Sequence, residues 1–223
     1  MKNPFKLLVF DWDGTLMDSE ARIVDCVRAA VRDLGLDVPE NDRIRNIIGL
    51  GLSEAVNTLF PGVDETLNRG IVERYRHHFL VENKTPSRLF EGVRETLADL
   101  EADGYLLAVA TGKGRRGLDE ALEDTGLGGM FLATRCSDET FSKPHPEMLL
   151  QLMDELGVEG EDTLMIGDTE YDMQMATNAG TRMLGVSYGV HSVDRLARHG
   201  PLGVVDSVEQ IPALLKTSIS IKE

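Results

Sequence analysis

The chain reads as an α/β protein: a doubly wound core of parallel strands, broken early by a small all-helical unit. Three observations point there. Short apolar segments rich in β-branched residues recur at residues 6–10, 106–110, 130–134, 163–166 and 182–186. Helix-like periodicity occupies residues 91–103, 116–124, 147–156 and 170–178 between them. Alternation of this kind indicates βαβ units and a parallel sheet. Third, the alternation is missing from about Ser19 to Asn83, where the pattern is helical throughout.

The first strand, ending Leu7-Leu8-Val9-Phe10, runs directly into Asp11-Trp12-Asp13-Gly14-Thr15. Ser19-Glu20 then opens a helix reaching Leu34, with Ile23, Val27, Ala30, Val31 and Leu34 on one face and Gly35 to end it. Shorter helices are predicted at residues 40–48 and 53–60, and a longer one from Asp64 to about Leu80. Lys84-Thr85-Pro86-Ser87 reads as the return hinge. Beyond it, Gly104, Gly126, Gly157 and Gly180 fall where four helices should stop, glycine's favoured place just past a helix C-terminus. The expected division is an α/β core of residues 1–17 and 85–223, doubly wound in the Rossmann-like manner, and a helical cap domain at residues 18–84. Insertions at this edge of a sheet usually carry function. The alternative is helices packed on the sheet as decoration.

At 223 residues the chain can bury one sizeable core, with room for a smaller insert. Hydrophobic residues make up 42% and charged residues 27%, the composition of a globular protein. No apolar run approaches the roughly 20 residues that span a bilayer, so no membrane partner is expected. Residues 1–4 lead straight into a strand without the apolar region of a signal peptide, which predicts a cytoplasmic protein. Cys26 and Cys136 do not suggest a disulfide framework. The formal charge of −15 argues against nucleic acid, whose binding needs a basic surface. It also means that an anionic ligand needs a metal ion and a few local cations to hold it.

Four short motifs supply such a set. In an open parallel sheet, ligands bind outside the carboxyl ends of the strands, so Asp11 faces a crevice rather than the core. Strand periodicity returns Asp13 toward the same side, and Gly14 permits a sharp departure. The competing reading makes both acids ordinary turn residues. Thr111-Gly112-Lys113-Gly114 follows a second strand; its hydroxyl and amides can hold phosphate oxygens, or simply cap a helix. Lys143, held extended by Pro144, stands at the entry to the helix at 147–156 as a fixed cation or a solvated surface lysine. Gly167 delivers Asp168 at a strand end, with Asp172 four residues on. A hard cation such as Mg²⁺ suits oxygen from Asp11, the Asp13 carbonyl and Asp168, with Asp172 in support. Asp168 as a mere helix N-cap is the rival.

The order Asp11-x-Asp13-Gly-Thr, Thr111-Gly112, Lys143-Pro144 and Gly167-Asp168-x-x-x-Asp172 resembles the four motifs of the haloacid dehalogenase-like hydrolase superfamily. A helical insert after the first motif resembles the branch that includes phosphoglycolate phosphatases and β-phosphoglucomutases. The resemblance implies a Mg²⁺-dependent phosphatase acting on a small phosphorylated metabolite such as phosphoglycolate. Asp11 would be the nucleophile, Asp13 the acid and base, and Thr111, Gly112 and Lys143 the holders of the transferred group, with Lys113 close by. In the cap, Gly51 amides and Arg45 are candidates for a substrate carboxylate, against a tight turn between helices. His77-His78 reads as surface or packing rather than a zinc site. A phosphomutase, a pyrophosphatase and a phospho-accepting receiver-like module are the alternatives. A monomer or weak homodimer is expected.

Overall fold

The computed structural model describes residues 5–217. Residues 1–4, on which the reading of the chain's start rests, and residues 218–223 lie outside the described residues. The strands are β1 (Leu7–Phe10), β2 (Met17–Asp18), β3 (Arg88–Leu89), β4 (Leu106–Thr111), β5 (Ala133–Cys136), β6 (Thr163–Gly167), β7 (Arg182–Val186) and β8 (Val204–Val205). The helices are α1 (Glu20–Asp33), α2 (Asn41–Asn46), α3 (Leu52–Leu59), α4 (Glu65–His77), α5 (Val93–Ala102), α6 (Arg115–Thr125), α7 (Glu147–Leu156), α8 (Glu170–Ala179), α9 (Val193–Ala197) and α10 (Ile211–Thr217).

Six strands form one parallel sheet in the order β5-β4-β1-β6-β7-β8. The chain moves outward from β1 through β4 to β5, then crosses back to β6 on β1's other side. That reversal opens a crevice at the carboxyl ends of β1, β4 and β6. Every residue of β1 is buried, as a strand covered on both faces requires. Leu8 and Phe10 join the apolar layer formed with α5 and α10, and Leu7 and Val9 join the layer against α7 and α8. Register pairs Phe10 with Val109 of β4 and Ile166 of β6, so the residues just beyond them converge.

Between β2 and β3 the chain makes α1 to α4, the last continuing as a π-helical turn over His78–Glu82. β2 and β3 pair antiparallel, Met17 with Leu89 and Asp18 with Arg88, so the insert leaves and returns through one narrow ribbon. It holds its own apolar clusters, Ile23, Val27, Val31 and Ile44 among one set and Val56, Ile71 and Val72 in another. Leu34, expected on the buried face of α1, is only partly buried.

Gly126, Gly157 and Gly180 cap α6, α7 and α8 in the left-handed conformation, with φ of +66°, +64° and +71°. The strand predicted at 130–134 lies instead at Ala133–Cys136. Gly128–Met130 forms a 3-10 turn first, and Phe131 turns inward to meet Trp12 edge to face. β2, β3 and β8 have two residues each, too short for any periodicity to register. Among the described residues no helix is long and apolar enough to cross a membrane. Both cysteines are free and buried, and burial pushes each thiol up to about 12.

Candidate active site

β1 delivers Asp11 to the crevice, where only 1% of it is exposed. Its Oδ1 accepts the Trp12 N–H at 2.7 Å, while the Trp12 ring drops into the core beneath. Asp13 returns to Asp11's side, and both line one cavity. Immediately after Asp13 the chain must bend sharply under Asp168. Gly14 allows this with φ +82°; a Cβ there would stand 2.2 Å from Asp168 Oδ2. The Asp13 carboxylate is anchored by Ser19 Oγ, which donates at 2.6 Å, and by Lys113 Nζ at 2.9 and 3.0 Å.

β6 brings Asp168 beside Asp11, and the first turn of α8 brings Asp172. Oxygens of these three acids lie within 4.8 Å of one another, the one such grouping among the described residues. Asp168 is not the N-cap of α8. Thr169 takes that role in a capping box with Asp172, whose Oδ2 accepts from the Thr169 N–H at 3.0 Å and from its hydroxyl at 2.7 Å. Asp168 is thereby left to accept from Thr15 Oγ1 at 2.9 Å and the Val190 N–H at 2.8 Å. Gly189 makes room, since a Cβ there would meet Asp168 at 2.2 Å.

Lys143, across a cis peptide from Pro144, is 1% exposed rather than solvated. Its Nζ lies 2.8 Å from Asp11 Oδ1 and 2.7 Å from Asp172 Oδ1, as ion-pair contacts rather than aligned hydrogen bonds. Burial opposes its charge, yet the two carboxylates prevail and hold the ammonium at about 12. The acids fare differently. Burial raises Asp11 well above the usual carboxylate range; Lys143 draws it down, but Asp172 and Asp168 push it up again. Burial and the neighbouring Asp172 lift Asp168 to about 7.

Three buried carboxylates thus share one buried ammonium, and Asp11 Oδ2 has no hydrogen-bond partner. Hard oxygen donors in charge excess around an unsatisfied oxygen fit a small divalent cation. The Asp13 carboxylate stands apart from this cluster, engaged by Ser19 and Lys113.

β4 ends in Thr111, fully buried, whose Oγ1 accepts the Lys113 N–H at 3.2 Å. Gly112 lies under the insert so closely that a Cβ would meet the Gly49 carbonyl oxygen at 2.4 Å. Thr111, Gly112 and Lys113 line the cavity with Asp11 and Asp13. Its volume is about 460 Å³, and the insert roofs it with side chains such as Ile23, Val56 and Phe79.

The structure does not bring Arg45 or Gly51 to that cavity. Arg45 points outward, half exposed, to Glu20 at 2.5 Å and Asp42 at 3.6 Å. The Gly51 N–H donates to Ser142 Oγ at 2.7 Å, tying the insert to the core loop before Lys143. His77 pairs with Glu82, and His78 lies between Asp33 and Glu82. Sequence reasoning missed Thr15, Ser19, Ser142 and Gly189. Thr15 and Ser19 lie within six residues of Asp13, and two hydroxyls that close to paired acids were an available signal.

Comparison with known proteins agrees with this geometry. Residues 8–186 match the family model described as haloacid dehalogenase-like hydrolase. A Dickeya dadantii protein named "Probable phosphatase IndB" is 38% identical, with 96% of each chain covered. A phosphoglycolate phosphatase of Vibrio parahaemolyticus is 29% identical, covering 96% of this chain and 97% of that one. The crystal structure of a predicted phosphatase from Clostridium acetobutylicum superposes with a TM-score of 0.85 at 26% identity, covering 97% of this chain and 99% of that one. The chain belongs to the haloacid dehalogenase-like hydrolase family, in the branch like the phosphoglycolate phosphatases.

Proposed function

From that membership, we propose that the protein is a Mg²⁺-dependent phosphatase that hydrolyses a small phosphate monoester through an aspartyl-phosphate on Asp11. The observation that carries this reading is the placement of Asp11. Its Oδ2 is buried and unpartnered beside the Lys143 ammonium, while Asp13 opens to the same cavity. The phosphatase names of the relatives support the same reaction class.

In the first displacement an Asp11 oxygen bonds to phosphorus as the ester P–O bond breaks, and Asp13 gives its proton to the departing alkoxide. In the second, Asp13 takes a proton from water, whose oxygen attacks phosphorus and releases Asp11 and inorganic phosphate. Lys143 offsets charge on Asp11 throughout, and Thr111 with the Gly112 amide holds phosphoryl oxygens. Lys113, parked on Asp13 at 2.9 Å, can transfer its ammonium to an incoming phosphate and release the acid. Asp11, Asp168 and the Asp13 carbonyl, steadied by Asp172, would hold Mg²⁺, whose charge reduces repulsion between nucleophile and phosphoryl oxygens. The insert at 18–84 acts as a cap that swings on the β2–β3 ribbon and excludes water.

The test is phosphate release from a panel of monoesters including phosphoglycolate, with Mg²⁺ or with chelator, paired with mass analysis of rapidly quenched protein. Many turnovers per chain with label on the Asp11 peptide are expected. Labelling of one phosphate per chain without release, as in a receiver-like module, would overturn the proposal.

A further inference from the structure

The cavity changes character with height. Its floor carries Asp11, Asp13, Thr111 and Lys113, and Arg76, Arg116 and Asp138 also line it. Above Asp13 it opens into the insert, between α1, α3 and α4. The insert's lining side chains are apolar there except for Tyr75, Arg76 and His77. Val27, Ile48, Ala55, Leu59, Ile71 and Phe79 mark the depth of this chamber. A volume of about 460 Å³ falls in the range of small-molecule sites, far beyond what a two-carbon acid fills.

Polar groups that could recognise a carboxylate or a polyol are few in that upper space: His77 is paired with Glu82, which leaves Tyr75 and Arg76. Arg45 lies outside on Glu20, and the Gly51 N–H is held by Ser142. Arg22 donates to the Phe79 carbonyl through Nη2 and lies over the Phe79 ring, 4.5 Å from its centroid; its buried Nε has no partner among the described residues, but the side chain is not part of the chamber lining. A hydroxyl-rich group placed here would lose its water and find few partners. Hydrocarbon would lose nothing.

Asp13 joins the two halves. It lines the chamber and stands where a leaving-group oxygen receives its proton, so the alcohol behind that oxygen must lie among the apolar side chains. We infer that the substrate is the phosphate monoester of a predominantly apolar alcohol, alkyl or aryl, whose hydrocarbon portion fills the chamber inside the insert. This inference rests on the phosphatase reading and narrows it to a substrate class. Hydrolysis consumes one water, breaks the ester P–O bond and yields the alcohol and inorganic phosphate.

The test is kcat/KM for ethyl, butyl and hexyl phosphate, set beside phosphoglycolate and glucose 6-phosphate, with Mg²⁺ present. Burial of each added methylene is worth about fourfold, so hexyl phosphate should exceed ethyl phosphate by about two orders of magnitude. Alcohol acidity barely changes along that series, so the rise reports the chamber and not the chemistry. Values that stay flat or fall with chain length, or a tenfold preference for phosphoglycolate or glucose 6-phosphate over hexyl phosphate, overturn the inference and leave the phosphatase reading standing. Release from none of the five esters, nor from acetyl phosphate, overturns both. As a second measurement, Ala55→Phe should lower the hexyl-to-ethyl ratio at least tenfold, and an unchanged ratio in a folded variant counts against the chamber.

Discussion

The floor and the roof of the cavity are built by opposite means. On the floor, charged side chains are almost wholly buried and each is held by named partners: Asp13 by Ser19 and Lys113, Asp168 by Thr15 and Val190, Asp172 by Thr169. In the roof, apolar side chains from three helices meet around open volume; Arg45 and Arg74 pair on the outer surface, and Arg76 is the insert's one arginine in the lining. The floor is rigid because misplacing one buried charge strands another. The roof can reshape at lower cost, because apolar contacts are not directional. The proposed function assigns reaction chemistry to the floor and substrate choice to the roof, a division that can be tested by changing each side separately.

The largest effect is expected at Asp11. Asp11→Asn removes the proposed nucleophile and should lower kcat by at least about 10⁴-fold, in line with loss of a covalent catalyst. The fold should persist, since burial already favours the uncharged form of this side chain and Lys143 retains Asp172. Circular dichroism and a thermal melt check the fold. Turnover like that of the unaltered protein would break the division at its centre.

Next comes Asp13→Asn, which keeps the shape of the side chain but can neither give nor take a proton. A loss of about 10² to 10⁴ in kcat is expected, with KM changed far less. Esters with good leaving groups, such as 4-nitrophenyl phosphate, should suffer less in the first displacement than alkyl phosphates. Equal losses for both would take the proton from Asp13.

The acid cluster predicts a pH dependence of metal binding. Asp168 in the metal-free protein is raised to about 7, so below that pH it carries a proton that a cation must displace. Mg²⁺ affinity should weaken by about tenfold or more per pH unit as the pH falls below 7, with proton uptake by buffer visible in calorimetry. The same shift has a consequence for folding. Because the folded pKa lies above the unfolded value near 4, this group favours folding at low pH and disfavours it increasingly as pH rises from about 4 to 7. Mg²⁺ should therefore raise the melting temperature more at pH 8 than at pH 6.

The floor was largely legible in the sequence because its parts are local. A buried strand followed by Asp11-x-Asp13-Gly14, or by Gly167-Asp168, states its own position within a few residues, and the sheet order then brings the strand ends together. Lys143 was legible as a cation near a helix entry, but its complete burial was not. That burial depends on Asp11 and Asp172, neither near it in sequence. The roof was legible as helices and not as a chamber. Periodicity shows which face of α1 or α3 is apolar, yet whether those faces close on one another or leave a cavity is set by how α4 and its π-helical end cross them. Gly51 illustrates the same limit, since its N–H is taken by Ser142, 91 residues away.

Arg45 gives the smallest predicted effect and the most pointed one. From sequence it was a candidate for a substrate carboxylate; in the structure it pairs across the outer surface with Glu20 and Asp42, its side chain half exposed. Exposed pairs of this kind contribute little, because water and salt screen them and the long side chain gives up its freedom to form them. Arg45→Ala should leave kcat/KM for every monoester within about twofold and the melting temperature nearly unchanged. The effect should also be indifferent to whether the ester carries a carboxylate. A loss above tenfold confined to phosphoglycolate would mean that the insert turns Arg45 into the cavity during turnover, and the roof would then contribute charge as well as shape.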